Sequence, residues 1–303
     1  MFSRSRTEWG SATMSFLSYL ITGISLGGIY ALIALGYTMV YGIAKMLNFA
    51  HGDVIMIGGY VAFVALSSMH TSVFLAVLMS ILSCIVLGIL IEKIAYKPLR
   101  NASPLAILIT AIGVSYFLQN VALLIFGSAA KSFTSVVPKI KLNLPVNITG
   151  ETIVTIIVTI LIAVLLTLFV NKTKSGKAML AVSEDRGAAQ LMGINVNNTI
   201  SLTFAIGSGL AAIASILLCS TYPQISPYTG AMPGIKAFTA AVFGGIGSIP
   251  GAMVGGIVLG IIESLSKAYI SSQLSDAIVF AVLILILLIK PTGLFGKKIN
   301  EKV

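Results

Sequence analysis

FLSYLITGISLGGIYALIALGYTMVYGIAKMLNFAHGD, residues Phe16–Asp53, decides the fold class. Phe16–Tyr41 contains no charged side chain. The hydrocarbon core of a bilayer is about 30 Å thick, so about 20 mainly apolar helical residues cross it. This run exceeds that length and shows no polar face, which no surface helix of a soluble domain tolerates. It then breaks into a cluster holding Lys45, Asn48, His51 and Asp53, with apolar sequence resuming behind it.

The rest of the chain has the same character. Of 303 residues, 57% are hydrophobic and 9% charged, and the mean hydropathy is +1.03. Ordinary soluble domains carry roughly a quarter charged residues. Nineteen Lys and Arg with nine Asp and Glu cannot cover a soluble surface of this size. Secreted disulfide scaffolds and disordered tails are excluded with it. So is a nucleic-acid partner, despite the net charge of +10. Cys84 and Cys219 lie inside apolar runs and read as small hydrophobes rather than a disulfide or metal pair.

Apolar runs predict spans near Phe16–Tyr41, Val54–Ser68, Val73–Ala95, Pro104–Phe126, Thr152–Val170, Ile200–Thr221, Ile235–Gly247, Gly251–Ala268 and Leu274–Ile289. The second and seventh are short, so the expectation is 8–9 crossings. The runs are continuous, whereas barrel strands would alternate. Arg4 and Arg6 precede the first run, but no small-residue cleavage site follows it, so that helix is read as retained.

Lys and Arg in short loops set orientation. Lys93, Lys97 and Arg100 form one cluster. Lys172, Lys174, Lys177 and Arg186 form a second, and Lys290, Lys297, Lys298 and Lys302 a third. All three belong in the cytoplasm, which places the N-terminus outside. The loop with Lys131, Lys139 and Lys141, which also holds Pro138 and Pro145, then lies outside as well.

Two Gly-containing interruptions stand out, Tyr41–Asp53 and Phe243–Gly251. Unwound backbone at membrane depth survives only where protein or water satisfies it. Transporters place such breaks at corresponding positions of two inverted repeats. Two broken helices in an inverted repeat are therefore expected. Gly23, Gly27, Gly28, Gly251, Gly255 and Gly256 have the spacing of close helix packing. For Asn48, His51 and Asp53 two readings stand, a structural turn or part of a translocation path. Gly244 and Gly245 join them as path candidates. Glu263 and Lys267, four apart in the favourable order, read as the brace of a helix end near the membrane interface.

The loop at 171–198 contains SEDRGAAQLMGIN, Ser183–Asn195. Ser183 is placed to cap a helix whose first turn holds Glu184 and Asp185. Gly187, Ala188 and Ala189 give that helix small residues, Leu191 and Met192 an apolar edge, and Gly193 a stop. Such a short exposed helix fits a partner's groove.

The pattern Glu-Asp-x-x-Ala-Ala-x-x-x-Gly-Ile at 184–194 resembles the coupling helix of ABC importer permeases. The rest resembles the branched-chain amino acid permeases, in their shorter LivH-type branch. The matching stretches are Gly28–Ile43, Asn48–Asp53, Gly113–Asn120, Lys236–Gly256 and Lys290–Gly296. The resemblance begins near Ser15, so residues 1–14 form a separate N-terminal segment and 15–303 one transmembrane domain. Asp185 departs from the commonest importer pattern, where an alanine follows the glutamate.

What the resemblance implies is an all-α integral membrane protein, a polytopic helix bundle serving as an ABC importer permease. It would be a multi-pass protein of the bacterial inner membrane, translocating leucine, isoleucine and valine. Its partners would be a second permease, identical or related, two cytoplasmic ATP-binding subunits and a periplasmic substrate-binding protein. The coupling residues would be Glu184, Asp185, Gly187, Ala188, Ala189 and Gly193. The chain carries no G-x-x-x-x-G-K-[ST] loop: Gly176-Lys177 precedes Ala178, and Gly296-Lys297 precedes Lys298. ATP hydrolysis is thus expected on another chain, with no catalytic residue, cofactor or metal here. Two rivals are a permease of the same family for urea or a short amide, and a stand-alone secondary transporter. The second would need an ion-coupling site, against which sparse intramembrane carboxylates argue.

Overall fold

The computed structural model describes residues 2–100, 102–137, 141–142 and 148–296, with side chains described from Met14 onward apart from 141–142. Pro138, Lys139, Pro145, Lys297, Lys298 and Lys302 lie outside the described residues.

Eleven α-helices carry the described chain. They are α1 Phe2–Ala44, α2 His51–Phe63, α3 Val73–Ile91, α4 Pro104–Phe126, α5 Gly150–Lys172 and α6 Lys174–Glu184. Then follow α7 Arg186–Leu191, α8 Val196–Thr221, α9 Ala231–Gly244, α10 Ile249–Tyr269 and α11 Ser275–Ile289. Wider turns extend α2 to Ser68 and α3 to Tyr96. Residues 2–14, expected as a separate segment, continue α1 as helix. Four two-residue strands complete the chain, β1 Lys131–Ser132, β2 Lys141–Leu142, β3 Ile148–Thr149 and β4 Gln224–Ile225. β1 pairs with β4 and β2 with β3, both antiparallel.

Seven helices among the described residues are long and apolar enough to cross a membrane. α11, the ninth of the predicted spans, is a shorter apolar helix, and α9 is the seventh. α9 starts four residues before the predicted span, because Pro233 fits the first turn of a helix. It stops at Gly244 because Gly245 takes φ 102°.

Helix caps come from the chain's small polar residues. Ser72, Ser103, Thr149, Asn195 and Ser248 each accept a bond from the first turn of the helix that follows. Exposed leucines and isoleucines cluster on α3, α4, α5 and α11. α8 is buried along almost its whole length. It forms the centre with α1.

The packing repeats itself in two halves. α1 lies antiparallel on α10, Gly27 against Ile257 and Gly260, and Gly256 against Ala31. α8 lies antiparallel on α3 in the same way, Gly88 against Ser208 and Glu92 against Ser201. α2 packs on α8 and α3, while α9 packs on α1 and α10. α4 adds to α2 as α11 adds to α9. The helices α1–α4 and α8–α11 thus form equivalent sets. The two sets are inverted, because α1 and α8 run antiparallel. Gly36 of α1 touches Gly207 of α8, and the end of α1 at Ala44 accepts a bond from Arg186, just before α8 begins.

This arrangement moves the second discontinuity. Phe243–Gly251 is the tight hairpin between α9 and α10, where Gly244 packs on the backbone of Gly251. The counterpart of Lys45–Ala50, which joins α1 to α2, is Tyr222–Gly230, which joins α8 to α9. A Gly-rich hairpin and a broken span give the same interruption in sequence. The Pro227-Tyr228-Thr229-Gly230 run was the better turn signal.

Candidate functional site

The first break begins at Lys45, which is exposed and takes φ 54°, a left-handed conformation that ends α1. The chain then climbs back into the bundle. His51, which opens α2, packs its ring against Tyr37 at 4.8 Å between centroids and against Gly36. Gly36 lies eight residues before the end of α1, a depth of about 12 Å at helical rise. A side chain on Gly36 would run into the imidazole.

Asn48, His51 and Asp53 are all buried. Tyr96 donates its hydroxyl to Asn48 Oδ1 at 2.9 Å. Gln119 of α4 donates Nε2 to Asp53 Oδ1, also at 2.9 Å. Asp53 sits in the first turn of α2, where the helix dipole favours negative charge. The three residues are therefore tied to α1, α3 and α4, and the break is a packed structure rather than a loose loop.

The second discontinuity delivers α9 to the same place. Gly230, which precedes α9, meets the backbone of Gly52, and a Cβ on Gly234 would lie 2.9 Å from Gly52 Cα. Only glycine permits this approach. Two helix N-termini thus face each other inside the bundle, and neither is capped by a side chain. Tyr37, Phe49 and Phe238 pack edge-on and tilted beside the junction. A narrow cleft opens below it, lined by Tyr37, Tyr41, Asn48, Phe238, Ala241 and Ile246. Sequence reasoning missed Tyr37, Tyr41 and Phe238, because aromatics inside a uniformly apolar helix give no periodic signal.

Gly244 and Gly245 are not brought into contact with Asn48, His51 or Asp53. Gly245 packs against Phe295 and Gly296 of the last described turn. The hairpin approaches the first break through Gly247, which touches Gly42.

The Glu263–Lys267 pair of α10 belongs to a larger network than the sequence suggested. Lys267 stands in the last turn of α10 and pairs with Glu263 as expected, but Glu263 is 1% exposed and serves more than that helix end. It accepts from Lys236 Nζ at 2.8 Å, Lys267 Nζ at 2.6 Å and the Tyr30 hydroxyl at 2.8 Å. Lys236 reaches Asp276 of α11 at 2.6 Å. The i,i+4 spacing revealed one bond of this network. The others cross helices far apart in sequence.

The 171–198 loop forms α6 and α7. Ser183 falls inside α6, and Glu184 is its last residue. Asp185, in extended conformation, caps α7 and accepts from Ala188 N at 3.0 Å. The reason is geometric: only Asp185 stands three residues before a free first-turn amide. Gly193 takes φ 82° and stops α7 as expected. Gly187 and Ala188 are exposed, whereas Ala189 turns inward. Leu191 and Met192 are 89% and 81% exposed and form an apolar tip. Arg186 donates to the carbonyl of Ala44, tying α7 to the end of α1. Burial and the neighbouring Arg100 charge both lower the Arg186 pKa from its usual value.

Residues 19–287 match the family model described as branched-chain amino acid transport system / permease component. The chain is 47% identical over 301 residues to the high-affinity branched-chain amino acid transport system permease protein LivH of Escherichia coli K12, covering 95% of this chain and 98% of the relative. It is 45% identical over 302 residues to BraD of Pseudomonas aeruginosa, with the same coverage. It is 32% identical over 290 residues to a probable LivH of Methanocaldococcus jannaschii, covering 90% of each. These likenesses run through the 171–198 loop, both breaks and the α9–α10 hairpin, so this multi-pass membrane chain belongs to the branched-chain amino acid transport system permease family.

Proposed function

We propose that this chain is the membrane-spanning subunit of an ATP-driven importer that carries leucine, isoleucine and valine across a bacterial inner membrane. The observation that carries this reading is near-full-length identity of 45–47% to permeases named for high-affinity branched-chain amino acid transport. The partners are a second permease subunit, two cytoplasmic ATP-binding subunits and a periplasmic binding protein. The α6–α7 end faces the cytoplasm, with the C-terminus on that side and the N-terminus outside. The clustered Lys and Arg there support this.

The translocation path passes Asn48, His51 and Asp53, where α2 and α9 begin. Facing helix N-termini carry partial positive charge and suit a substrate carboxylate. Asp53 and the freed carbonyls of the first break suit its ammonium group. Widened as the helices move, the aromatic cleft would admit an apolar side chain. Gly244 and Gly245 serve in the tight hairpin beside the cleft. ATP-driven closure of the partner subunits pulls on α7 through Leu191 and Met192. Arg186 and Ala44 pass the motion to α1 and so to the break. Glu184, Asp185, Gly187, Ala188, Ala189 and Gly193 shape the element that docks.

The test is uptake of labelled leucine in cells whose own branched-chain permeases are deleted and which express this chain with its partners. Competition by isoleucine and valine, with none by urea, is the expected result. Competition by urea alone would overturn the substrate assignment.

A further inference from the structure

The end of the bundle that carries α7 holds a second cavity, about 720 Å³ in volume. That lies within the roughly 300–1,000 Å³ common for small-molecule sites. Lys97, Arg100, Arg186, Gly187, Gln190 and Asn197 line it. Two carboxylates adjoin it. Glu92 is already taken by Arg100 and Ser201, and Asp185 is turned into the cap of α7. Among the described residues no carboxylate pairs with Lys97 or Arg186. The lining therefore keeps two cations without a carboxylate partner, of which Arg186 also donates to the carbonyl of Ala44. The first turn of α8, a 26-residue helix, adds its partial positive charge at Val196 and Asn197.

The surface leading to this cavity is apolar. Val86, Leu90 and Ile94 are exposed at i,i+4 spacing along α3 and its extension, and Ile94 is 72% exposed. Lys97 follows Ile94 by one turn. A stripe of hydrocarbon-facing side chains thus ends at a basic cavity. Basic pockets between helices at the cytoplasmic side suit lipid phosphates. A single partner carboxylate would leave most of the volume empty and would make no use of the stripe.

We infer that this cavity binds the phosphate of an anionic phospholipid, with its acyl chains lying along Val86, Leu90 and Ile94. Gly187 and Gln190 of α7 form one wall, so an occupied cavity braces the helix that the partner ATPase would meet.

Native mass spectrometry of the delipidated full chain, titrated with phosphatidylglycerol, tests this. Lys97→Gln should weaken retention roughly fivefold, and Lys97→Gln with Arg186→Gln roughly 25-fold, because each surface cation contributes on the order of a fivefold gain. Lys97 is exposed, so its single variant keeps the fold. Lys172→Gln, an exposed cation outside the cavity, should change nothing. Phosphatidylcholine should be retained weakly and equally by all. Unchanged retention in the double variant would overturn the proposal. Displacement by equimolar inorganic phosphate would overturn the lipid assignment. So would a Lys97→Glu variant that loses the ATPase subunit while holding phosphatidylglycerol as before.

Discussion

Lys236 of α9 and Glu263 of α10 form an ion pair at 2.8 Å with both side chains buried. Asp276 draws α11 into the same network, and Tyr30 draws in α1. Three of the four helices of the second repeat are thereby joined to the longest helix of the first. Charges at this depth persist only when they are paired.

The network predicts an order of damage. Glu263→Leu leaves Lys236 with Asp276 alone and strands the Tyr30 hydroxyl. Removing one member of a buried pair costs about 3–5 kcal/mol. Lys236→Met should cost less, since Glu263 keeps Lys267 and Tyr30. Lys267→Met should cost about 1 kcal/mol or less, because that side chain is 39% exposed. Thermal unfolding of the purified chain reads this order directly. Equal shifts for all three variants would contradict it.

The break at 45–50 predicts loss of transport without loss of assembly. Asn48→Ala, His51→Ala and Asp53→Ala each remove a buried polar group. Each should lower leucine uptake by about tenfold or more, a change of about 1.4 kcal/mol. Co-purification with the ATPase subunit should persist, because α7 lies elsewhere. Normal uptake in all three variants would leave these residues with a structural role only.

Much of this architecture was legible in the sequence, for a physical reason. A bilayer forces the backbone into helices, so span positions follow from apolar length alone. The break at Lys45–Asp53 was legible because Asn, His and Asp are costly inside hydrocarbon. The counterpart at Tyr222–Gly230 was not, since its Pro and Ser residues look like any external loop. The pairing of Lys236 with Glu263 was equally hidden. Periodicity reports neighbours on one helix and is silent about partners on another. Asp185 as the cap of α7 needed knowledge of where α6 ends, which shifts by a residue or two from any sequence reading.

Asp185 makes a graded prediction. Its side chain satisfies the Ala188 amide at 3.0 Å, and losing such a cap costs about 1 kcal/mol. Asp185→Ala should loosen α7 and weaken stimulation of ATP hydrolysis by a loaded binding protein. Asp185→Asn, which also caps, should restore most of it. If Asn and Ala behave alike, charge rather than capping is what the position supplies.

Leu191 and Met192 separate docking from folding. Both are almost fully exposed, so changing them should alter the stability of the isolated chain by about 0.5 kcal/mol or less. A partner groove that buries either side chain would gain roughly 1.5–3 kcal/mol from it. Leu191→Asp should therefore leave the unfolding temperature of the permease unchanged. It should also reduce capture of the ATPase subunit by about tenfold or more. Ala189→Leu provides the contrast. That residue turns inward, so a larger side chain should destabilise the chain itself. Loss of ATPase capture in Ala189→Leu but not in Leu191→Asp would place the docking surface on the opposite face of α7.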